Sequence, residues 1–421
     1  MMRVATYCFA LLLFITPCFV AATNQLIILT TFTEASLQPL LKQFQQHHPD
    51  TEFKVLHRRE ASGLRLLSDN QHDIDIVISS SLSLFIPLSQ QNRILPLNEL
   101  NYDSAVQQQL LLPDTVNNVA IFGYSGYGFM WNQDYLDKHR LDLPSRWEDL
   151  ADPQYFRHLV MSSPSRSGTT HIMVENILQQ HGWKDGWRLL LKIGGNLASV
   201  SARSYGVSDA IARGLAGIGP VIDSYAYSSQ AQFPFIGFSY QPSSPLLPSY
   251  VAALPNLHQA KQTMAFVHFL LSEQVQDNLS ISSMNKYALN QKLSQPYEVV
   301  SLDHALMQQR STLVKALFEY SVNRQLIRLN QAWQLIHEVE KLTTLTPDQQ
   351  HKFNLAKRLA STPPITERQA RSEILQQSIS LSSKDINSIQ LTRQWQQLMT
   401  DQLDHAIAIC EQLLDDEGGH S

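Results

Sequence analysis

The stretch QLIILTT (residues 25–31) opens the part of the chain that decides the fold, because two further β-rich runs follow it with helical segments between them. These runs are Phe53–Leu56 and IDIVI (74–78). Apolar residues at helical spacing fill the intervals, at Leu37, Leu40, Leu41 and Phe44 and again at Leu64, Leu66 and Leu67, where Ser62 is a candidate helix cap. Strands that alternate with helices predict right-handed βαβ units and a mainly parallel sheet. The predicted fold class is therefore α/β.

The same alternation continues to about residue 300. Further strands are predicted at Ala120–Tyr124, Gly128–Trp131, Leu159–Ser162 and Gly217–Ile222, and a closing helix at Gln259–Leu271. Fourteen of the sixteen glycines lie between Gly63 and Gly237. Glycine favours turns and close backbone approaches, so the first two thirds of the chain are rich in turns and the last third is not.

Residues 301–421 have a helical pattern alone. Apolar residues recur at Leu306, Leu313, Leu317, Tyr320 and Ile327, one face of a helix. Thr346 and Thr366 each precede a glutamine by three residues, the spacing of a capping box, and a last long helix is predicted from Ile386. The segment contains sixteen glutamines, so its solvent faces are uncharged amide more than ion pair.

Composition and the N-terminus restrict the class of protein. A formal net charge of −5 and an isoelectric point near 6.3 argue against a nucleic-acid partner, which selects a basic face. Residues 1–22 combine Arg3, a long apolar run and the small residues Val20-Ala21-Ala22, which predicts an export signal cleaved after Ala22 and an exported protein. The mature chain then holds a single cysteine, Cys410, and no internal disulfide.

Two loops rich in hydroxyls predict an anion site. In VMSSPSRSGTTH (160–171) a strand ends and a helix follows from Ile172, and in SVSARSYGV (199–207) a short helix follows from Ser208. Amides at a helix start and an arginine attract anions. The predicted ligand residues in these loops are Ser165, Arg166, Ser167, Gly168, Thr169, Arg203 and Ser204. Each loop alone also fits an ordinary capped surface turn.

The first and third predicted strands end in polar loops as well. Open α/β sheets bind ligands beyond the carboxyl ends of their strands, which selects Thr31, Thr33, Ser79, Ser80 and Ser81 as further ligand residues. Asp223 ends the predicted strand GIGPVID, where it can hold a ligand hydroxyl, orient an arginine or cap a turn. Arg58 and Arg59 follow the second strand and fit surface charge better.

The sequence contains only weak matches to the motifs of catalytic and metal-binding sites. Ser283–Lys286 matches SxxK and Ser68–Asn70 matches SDN, but their order is reversed and KTG is absent from the chain, so both matches are interpreted as accidental. Ser125 in GYSGY lacks the second glycine of a nucleophile elbow, and no HExxH or close Cys/His set occurs. No catalytic residue, metal ligand or cofactor is predicted. An exported hydrolase stays open as a third hypothesis, beside the two non-enzymatic functions described below.

Three segments resemble the periplasmic solute-binding proteins, in the subgroup that includes the iron-binding receptors. They are GYGFMWN (126–132), PSRWEDL (144–150) and FVHFLLSEQ (266–274). The resemblance implies the type 2 fold, in which two α/β lobes enclose a ligand. Lobe 1 is then 23–124 plus 238–300, and lobe 2 is 125–237. Because such a fold is complete near residue 300, 301–421 is predicted to be an all-helical C-terminal extension.

Within that family, three further segments resemble a regulatory branch whose members, with a membrane sensor kinase, induce a phosphoglycerate transporter. They are SSPSRSGTTHIMVE (162–175), SVSARSYGVSDA (199–210) and GPVIDSYA (219–226). This implies a non-enzymatic sensor of phosphoglycerate or a related small phosphorylated or carboxylated anion, with 301–421 docking on the kinase. The alternative is the receptor of an ABC importer for ferric iron or another small anion. The iron receptors carry two adjacent tyrosines, whereas Ala226 separates Tyr225 from Tyr227 here.

Overall fold

The computed structural model describes residues 24–69, 73–97, 116–255, 260–280, 282, 284–291, 298, 300–342, 345–379 and 386–418. The predicted export signal and its cleavage after Ala22 lie outside these residues. The strands are, in chain order, β1 (Asn24–Thr30), β2 (Thr51–His57), β3 (Ile76–Ser79), β4 (Ala120–Ser125), β5 (Tyr127–Asn132), β6 (Leu159–Ser162), β7 (Leu197–Ser201), β8 (Ile218–Ile222), β9 (Ile236–Tyr240) and β10 (Leu247–Ala253).

The helices are, in chain order, α1 (Glu34–His47), α2 (Glu60–Ser68), α3 (Ile86–Gln90), α4 (Gln133–His139), α5 (Gly168–Asn196), α6 (Ser204–Ala212), α7 (Asp223–Gln230), α8 (Ala260–Leu271), α9 (Glu273–Gln276), α10 (His304–Phe318), α11 (Leu326–Val339), α12 (Pro347–Ala360), α13 (Glu367–Ala370), α14 (Glu373–Ser378) and α15 (Ile386–Gly418). A π-helical turn, Glu319–Asn323, follows α10 directly. The long helix α5 bends at Gly182, whose φ is +75°. In the described part of the chain, no helix has the length and apolar character needed to cross a membrane.

Two five-stranded sheets form the α/β part of the molecule, and both are mixed. The first has the order β2-β1-β3-β10-β4, and the second has the order β7-β6-β8-β5-β9. In the first, β1 pairs in parallel with β2 and β3, whereas β10 is antiparallel to β3 and β4. In the second, β6 is parallel to β7 and β8, whereas β5 is antiparallel to β8 and β9. The α/β prediction is confirmed, but the prediction of a mainly parallel sheet is wrong.

The antiparallel strands arise because the chain crosses between the sheets twice. It leaves the first sheet at Ser125, the end of β4, and enters the second at Tyr127, the start of β5. It returns between Tyr240 and Leu247 and then runs as β10 in the middle of the first sheet. Strand β9 belongs wholly to the second sheet, so the sheets divide the chain a few residues after the predicted lobe boundary at 237/238.

Four local predictions about where helices and strands begin or end need correction. Helix α5 begins at Gly168 rather than Ile172, and α6 begins at Ser204 rather than Ser208. Helix α2 begins at Glu60, so Ser62 lies inside it and caps nothing. Asp223 is the first residue of α7 rather than the last of β8. The two helices at the anion loops therefore start four residues earlier, at the loops themselves.

The helical segment shares a hydrophobic core with the second sheet. One cluster of buried side chains joins Phe129 and Trp187 of the second lobe to Leu317, Trp333 and Leu403 of the helical segment. Helix α11 packs so closely on α5 that a Cβ on Gly195 would lie 2.2 Å from Cδ1 of Trp333. The predicted capping boxes at Thr346 and Thr366 and the final helix from Ile386 are confirmed, and Cys410 is a buried free thiol. The described helices between residues 304 and 418 thus share their core with the second lobe.

Candidate ligand-binding site

A cleft of about 470 Å³ lies between the two sheets. Its walls come from the loops after β1, β2 and β3 on one side and from the loops after β6, β7 and β8 on the other. Helix α10 of the helical segment lines it as well. A cleft of this size fits a small metabolite rather than a polymer.

The β6–α5 loop places its hydroxyls and amides at the edge of the cleft. Ser167 caps α5, because its Oγ accepts from the Thr170 amide at 3.0 Å. Ser165 is held by a 2.8 Å hydrogen bond to Ser163. The predicted residues Ser165, Arg166, Ser167, Gly168 and Thr169 all line the cleft, and Arg166 is exposed. The start of a 29-residue helix and a guanidinium thus face the same cavity, an arrangement that binds anions.

The β7–α6 loop lies beside it. The Oγ atoms of Ser167 and Ser204 are hydrogen bonded to each other, which joins the two helix starts. Ser201 Oγ donates to the Arg203 carbonyl at 2.9 Å, and the Arg203 guanidinium lies 5.9 Å from the ring centre of Tyr205. Arg203 and Ser204 both line the cleft. The structure therefore brings the two predicted anion loops together.

On the first-lobe side, the predicted residues divide into two groups. Thr31, Thr33, Ser80 and Ser81 line the cleft, and Thr33 also caps α1 by accepting from the Ser36 amide. Ser79 is buried outside the lining and holds Thr31 through a 2.8 Å hydrogen bond between the two hydroxyls. It positions a cleft residue instead of facing the ligand itself.

Asp223 lies behind the cleft wall, in the hinge. Its Oδ2 accepts from the Gly126 amide at 2.6 Å and from the Tyr240 hydroxyl at 3.1 Å, at the place where the chain crosses between the sheets. Burial raises the pKa of this carboxyl to about 6, and the Lys286 ammonium opposes that rise. The predicted contact of Asp223 with a ligand hydroxyl is therefore not what the geometry provides, because the side chain is fully buried.

Lys286 is a cleft residue that the sequence reasoning missed. Its ammonium donates to Ser125 Oγ at 3.0 Å and lies 5.0 Å from the ring centre of Phe32. Burial lowers its pKa to about 8. In the sequence it belongs to the accidental SxxK match, whose Ser283 lies outside the described residues, as does Asn70 of the SDN match. A cation at the hinge end of the cleft adds to the two predicted arginines.

The cleft as a whole is strongly cationic. Six basic side chains line it within the described part of the chain: Arg58, Arg59, Arg166, Arg203, Lys286 and Lys315. The carboxylate that lines it among the same residues is Glu60. The pKa of His57 is lowered by burial and by the neighbouring Arg203 and Arg58. An excess of five positive charges in a partly enclosed cavity selects a ligand with several negative charges.

The tyrosines weighed for iron have different positions. Tyr225 lines the cleft, and burial raises the pKa of its phenol. Tyr227 is hydrogen bonded through its hydroxyl to Tyr240 at 2.8 Å. Among the described residues, no group of three or more His, Cys, Asp or Glu side chains could hold a metal ion. The structure thus gives the two phenols separate environments.

The chain matches the bacterial extracellular solute-binding protein family over residues 74–305, and it belongs to that family. Over 332 residues it is 34% identical to the phosphoglycerate transport regulatory protein PgtC of Salmonella typhimurium, which covers 76% of this chain and 82% of that relative. The predicted resemblance to a regulatory branch of the family is confirmed.

Two solved structures place the fold. AfuA from Actinobacillus pleuropneumoniae, with exogenous fructose-6-phosphate bound, has a TM-score of 0.56 at 15% identity and covers 76% of this chain and 99% of its own. A Bordetella ferric binding protein has a TM-score of 0.52 at 17% identity and covers 69% of this chain and 97% of its own. At these identities the likeness concerns the fold alone, and it confirms the type 2 periplasmic binding protein architecture.

Proposed function

We propose that this protein is a periplasmic sensor of phosphoglycerate or a related small phosphorylated acid, which it binds in the cleft without changing it chemically. The observation that carries the proposal is the set of six basic side chains around two adjoining helix starts. We assign the contacts between the protein and the ligand from the chemistry of the donor groups. Residues 165–169 with Arg203 and Ser204 bind the phosphate, and Thr31, Thr33 and the 80–81 loop bind the other end.

A phosphorylated acid fits this cleft better than a singly charged solute. Its phosphate and carboxylate together carry about three negative charges at neutral pH, because the second phosphate pKa is about 6. The cleft offers an excess of five positive charges, and arginines bind both group types in a bidentate manner. PgtC is named for phosphoglycerate transport, and AfuA holds a phosphorylated sugar in the same fold, which supports this ligand class.

The comparison with PgtC also supports a regulatory role. Residues 1–22 export the chain, and ligand binding closes the two lobes around the hinge. The closed form then contacts a membrane sensor kinase through a surface of residues 301–421, which is what the sequence resemblance to the regulatory branch implies. Only a ligand with different affinities for the open and closed forms can drive such a signal.

The two competing functions, an iron importer receptor and a hydrolase, have no comparable observation to support them. The iron receptors carry two adjacent tyrosines, whereas Ala226 separates Tyr225 from Tyr227 here, and the Tyr227 hydroxyl is hydrogen bonded to Tyr240. A hydrolase using Ser125 and Lys286 would have to present the serine to its substrate, but Ser125 is completely buried.

A thermal-shift screen tests the ligand class. The mature protein is heated with 3-phosphoglycerate, 2-phosphoglycerate, phosphoenolpyruvate, glycerate, glycerol phosphate and ferric citrate. Binding to the folded state raises the midpoint, and the stabilisation grows with the logarithm of the ligand concentration relative to Kd. We expect the phosphorylated acids to raise it and glycerate, which lacks the phosphate, to leave it unchanged. Stabilisation by ferric citrate alone would support the importer receptor instead.

A further inference from the structure

Helix α10 presents a polar stripe to the cleft. Gln308, Ser311, Thr312 and Lys315 all line the cavity, and they follow the i, i+3, i+4, i+7 spacing of one helix face. Each carries a hydrogen-bond donor, and Lys315 adds a charge. The two-lobe fold that ends near residue 300 has no such wall.

The rest of α10 is fixed to the second lobe. Leu313, Val314 and Leu317 are buried in the shared core. Arg310 makes hydrogen bonds of 3.1 and 2.7 Å to Glu175 Oε2 in α5, where both side chains are almost wholly buried. The stripe therefore has a set position relative to the helix start of α5, and it moves with the second lobe when the cleft opens or closes.

Lys315 reaches across the cleft to the first lobe. Its ammonium donates to Glu60 Oε1 at 2.8 Å, and Ser81 Oγ donates to Oε2 of the same carboxylate at 2.6 Å. Position 168, at the start of α5, lies beside this carboxylate, since a Cβ there would be 3.8 Å from Glu60 Oε2. An ammonium, a hydroxyl and a helix start thus surround the Glu60 carboxylate. These groups form a place that is suited to an acidic group.

We infer that α10 is a third wall of the ligand site: Lys315 binds an acidic group of the ligand, and Gln308, Ser311 and Thr312 donate to its oxygens. This inference rests on the proposed function, since the ligand class is the same phosphorylated acid. It means that the helical segment touches the ligand directly, in addition to packing on the second lobe. The residues that recognise the ligand then come from the first lobe, the second lobe and the helical segment.

Two neighbouring glutamines provide a matched test. Gln308 lines the cleft, whereas Gln309 lines a separate groove beside Leu178 and Gly182, and both are exposed. Gln308→Glu places a carboxylate in the ligand site and is expected to weaken 3-phosphoglycerate binding fivefold or more in calorimetry. Gln309→Glu adds the same charge to the same helix and is expected to change Kd less than twofold, because salt screens it from the cleft.

A lysine pair completes the test. Lys315→Met is expected to weaken binding at least tenfold, and Lys192→Met is the control, because Lys192 lies over the Trp333 ring away from the cleft. Unchanged affinity in both Gln308→Glu and Lys315→Met overturns the third wall while leaving the phosphoglycerate sensor in place. If the wild-type protein binds no phosphorylated acid, the proposed function fails and the third wall fails with it. Since Gln308→Glu leaves the Glu60–Lys315 pair intact, it decides the matter even if Lys315→Met folds poorly.

Discussion

At the scale of single residues, Arg166 and Arg203 carry the most direct prediction. Each is expected to donate charge-assisted hydrogen bonds to the ligand, which contribute about 1.5–3 kcal/mol apiece. Arg166→Ala and Arg203→Ala should therefore each weaken 3-phosphoglycerate binding about tenfold or more in calorimetry. Arg213→Ala is the control, since Arg213 is exposed and pairs with Asp209 at the far end of α6. Equal affinities in all three variants would remove the arginines from the site.

A second prediction at this scale concerns His171. Burial lowers its pKa to about 3, with Lys315 and Arg310 adding to the effect and Glu60 opposing it. The unfolded chain binds a proton on this residue below pH 6.5, whereas the folded protein does so only near pH 3. Stability is therefore lost as pH falls through this window, by about 2 kcal/mol between pH 6.5 and 5 for one proton.

The measurement is the melting temperature of the ligand-free protein between pH 7 and 5. His171→Gln should flatten the decline relative to wild type, and His351→Gln, at an exposed position of α12, should leave it unchanged. A decline of the same steepness in His171→Gln would show that the buried imidazole is not its source.

Which site residues the sequence could predict depends on how far apart they lie in the chain. Arg166 and Arg203 were found because each stands in a loop of hydroxyls before a helix, a local pattern. Lys286 and Lys315 reach the cleft from distant segments, so only tertiary packing brings them there. The polar residues from Gln308 to Lys315 also have the spacing of one helix face. Only the apolar residues of this helix, which determine its packing, were used in the prediction from sequence, which therefore did not include a polar face in the cleft.

At the scale of elements, the contact between α5 and α11 makes a stability prediction. A Cβ on Gly195 would lie 2.2 Å from Trp333 Cδ1, whereas one on Gly194 would lie 3.1 Å from Val322 Cγ1. Gly195→Ala forces the tryptophan ring or a backbone to shift and should cost about 1–3 kcal/mol in the free energy of unfolding. Denaturant titration should give a smaller loss for Gly194→Ala. If Gly195→Ala is as stable as wild type, the helical segment does not pack on α5 as described.

The elements that sequence patterns missed have identifiable physical causes. Strand β10 contains Pro248, which weakens a strand pattern, and it is buried on both faces, so it shows no alternation. The start of α5 was placed late because glycine and two threonines are poor helix formers, and the Ser167 cap outweighs them. Strong periodicity, as in α15 from Ile386, gave the right element.

At the scale of the whole molecule, the helical segment and the second lobe form one body. The helical segment follows the two-lobe fold in the chain, but the two share one core, which would lose Leu317, Trp333 and Leu403 on truncation. Truncation before residue 301 therefore removes structure along with any signalling surface. Substitutions on the exposed faces of the segment separate the loss of structure from the loss of a signalling surface better than truncation does.

The overall charge and the charge of the cleft also differ in sign. The chain has a formal net charge of −5, yet its cleft holds six basic side chains against the carboxylate of Glu60 among the described residues. Net charge bears on large partners such as nucleic acids, whereas a small ligand responds to the local potential of the cleft.

Isothermal titration of the mature protein with 3-phosphoglycerate, beside the same titration with glycerate, tests the central claim most directly. The two ligands differ by the phosphate that the helix starts and arginines are proposed to bind. We predict one site per chain for 3-phosphoglycerate with Kd in the micromolar range or below, and at least a hundredfold weaker binding of glycerate. Equal affinities for the two, or no binding of either, would contradict the account.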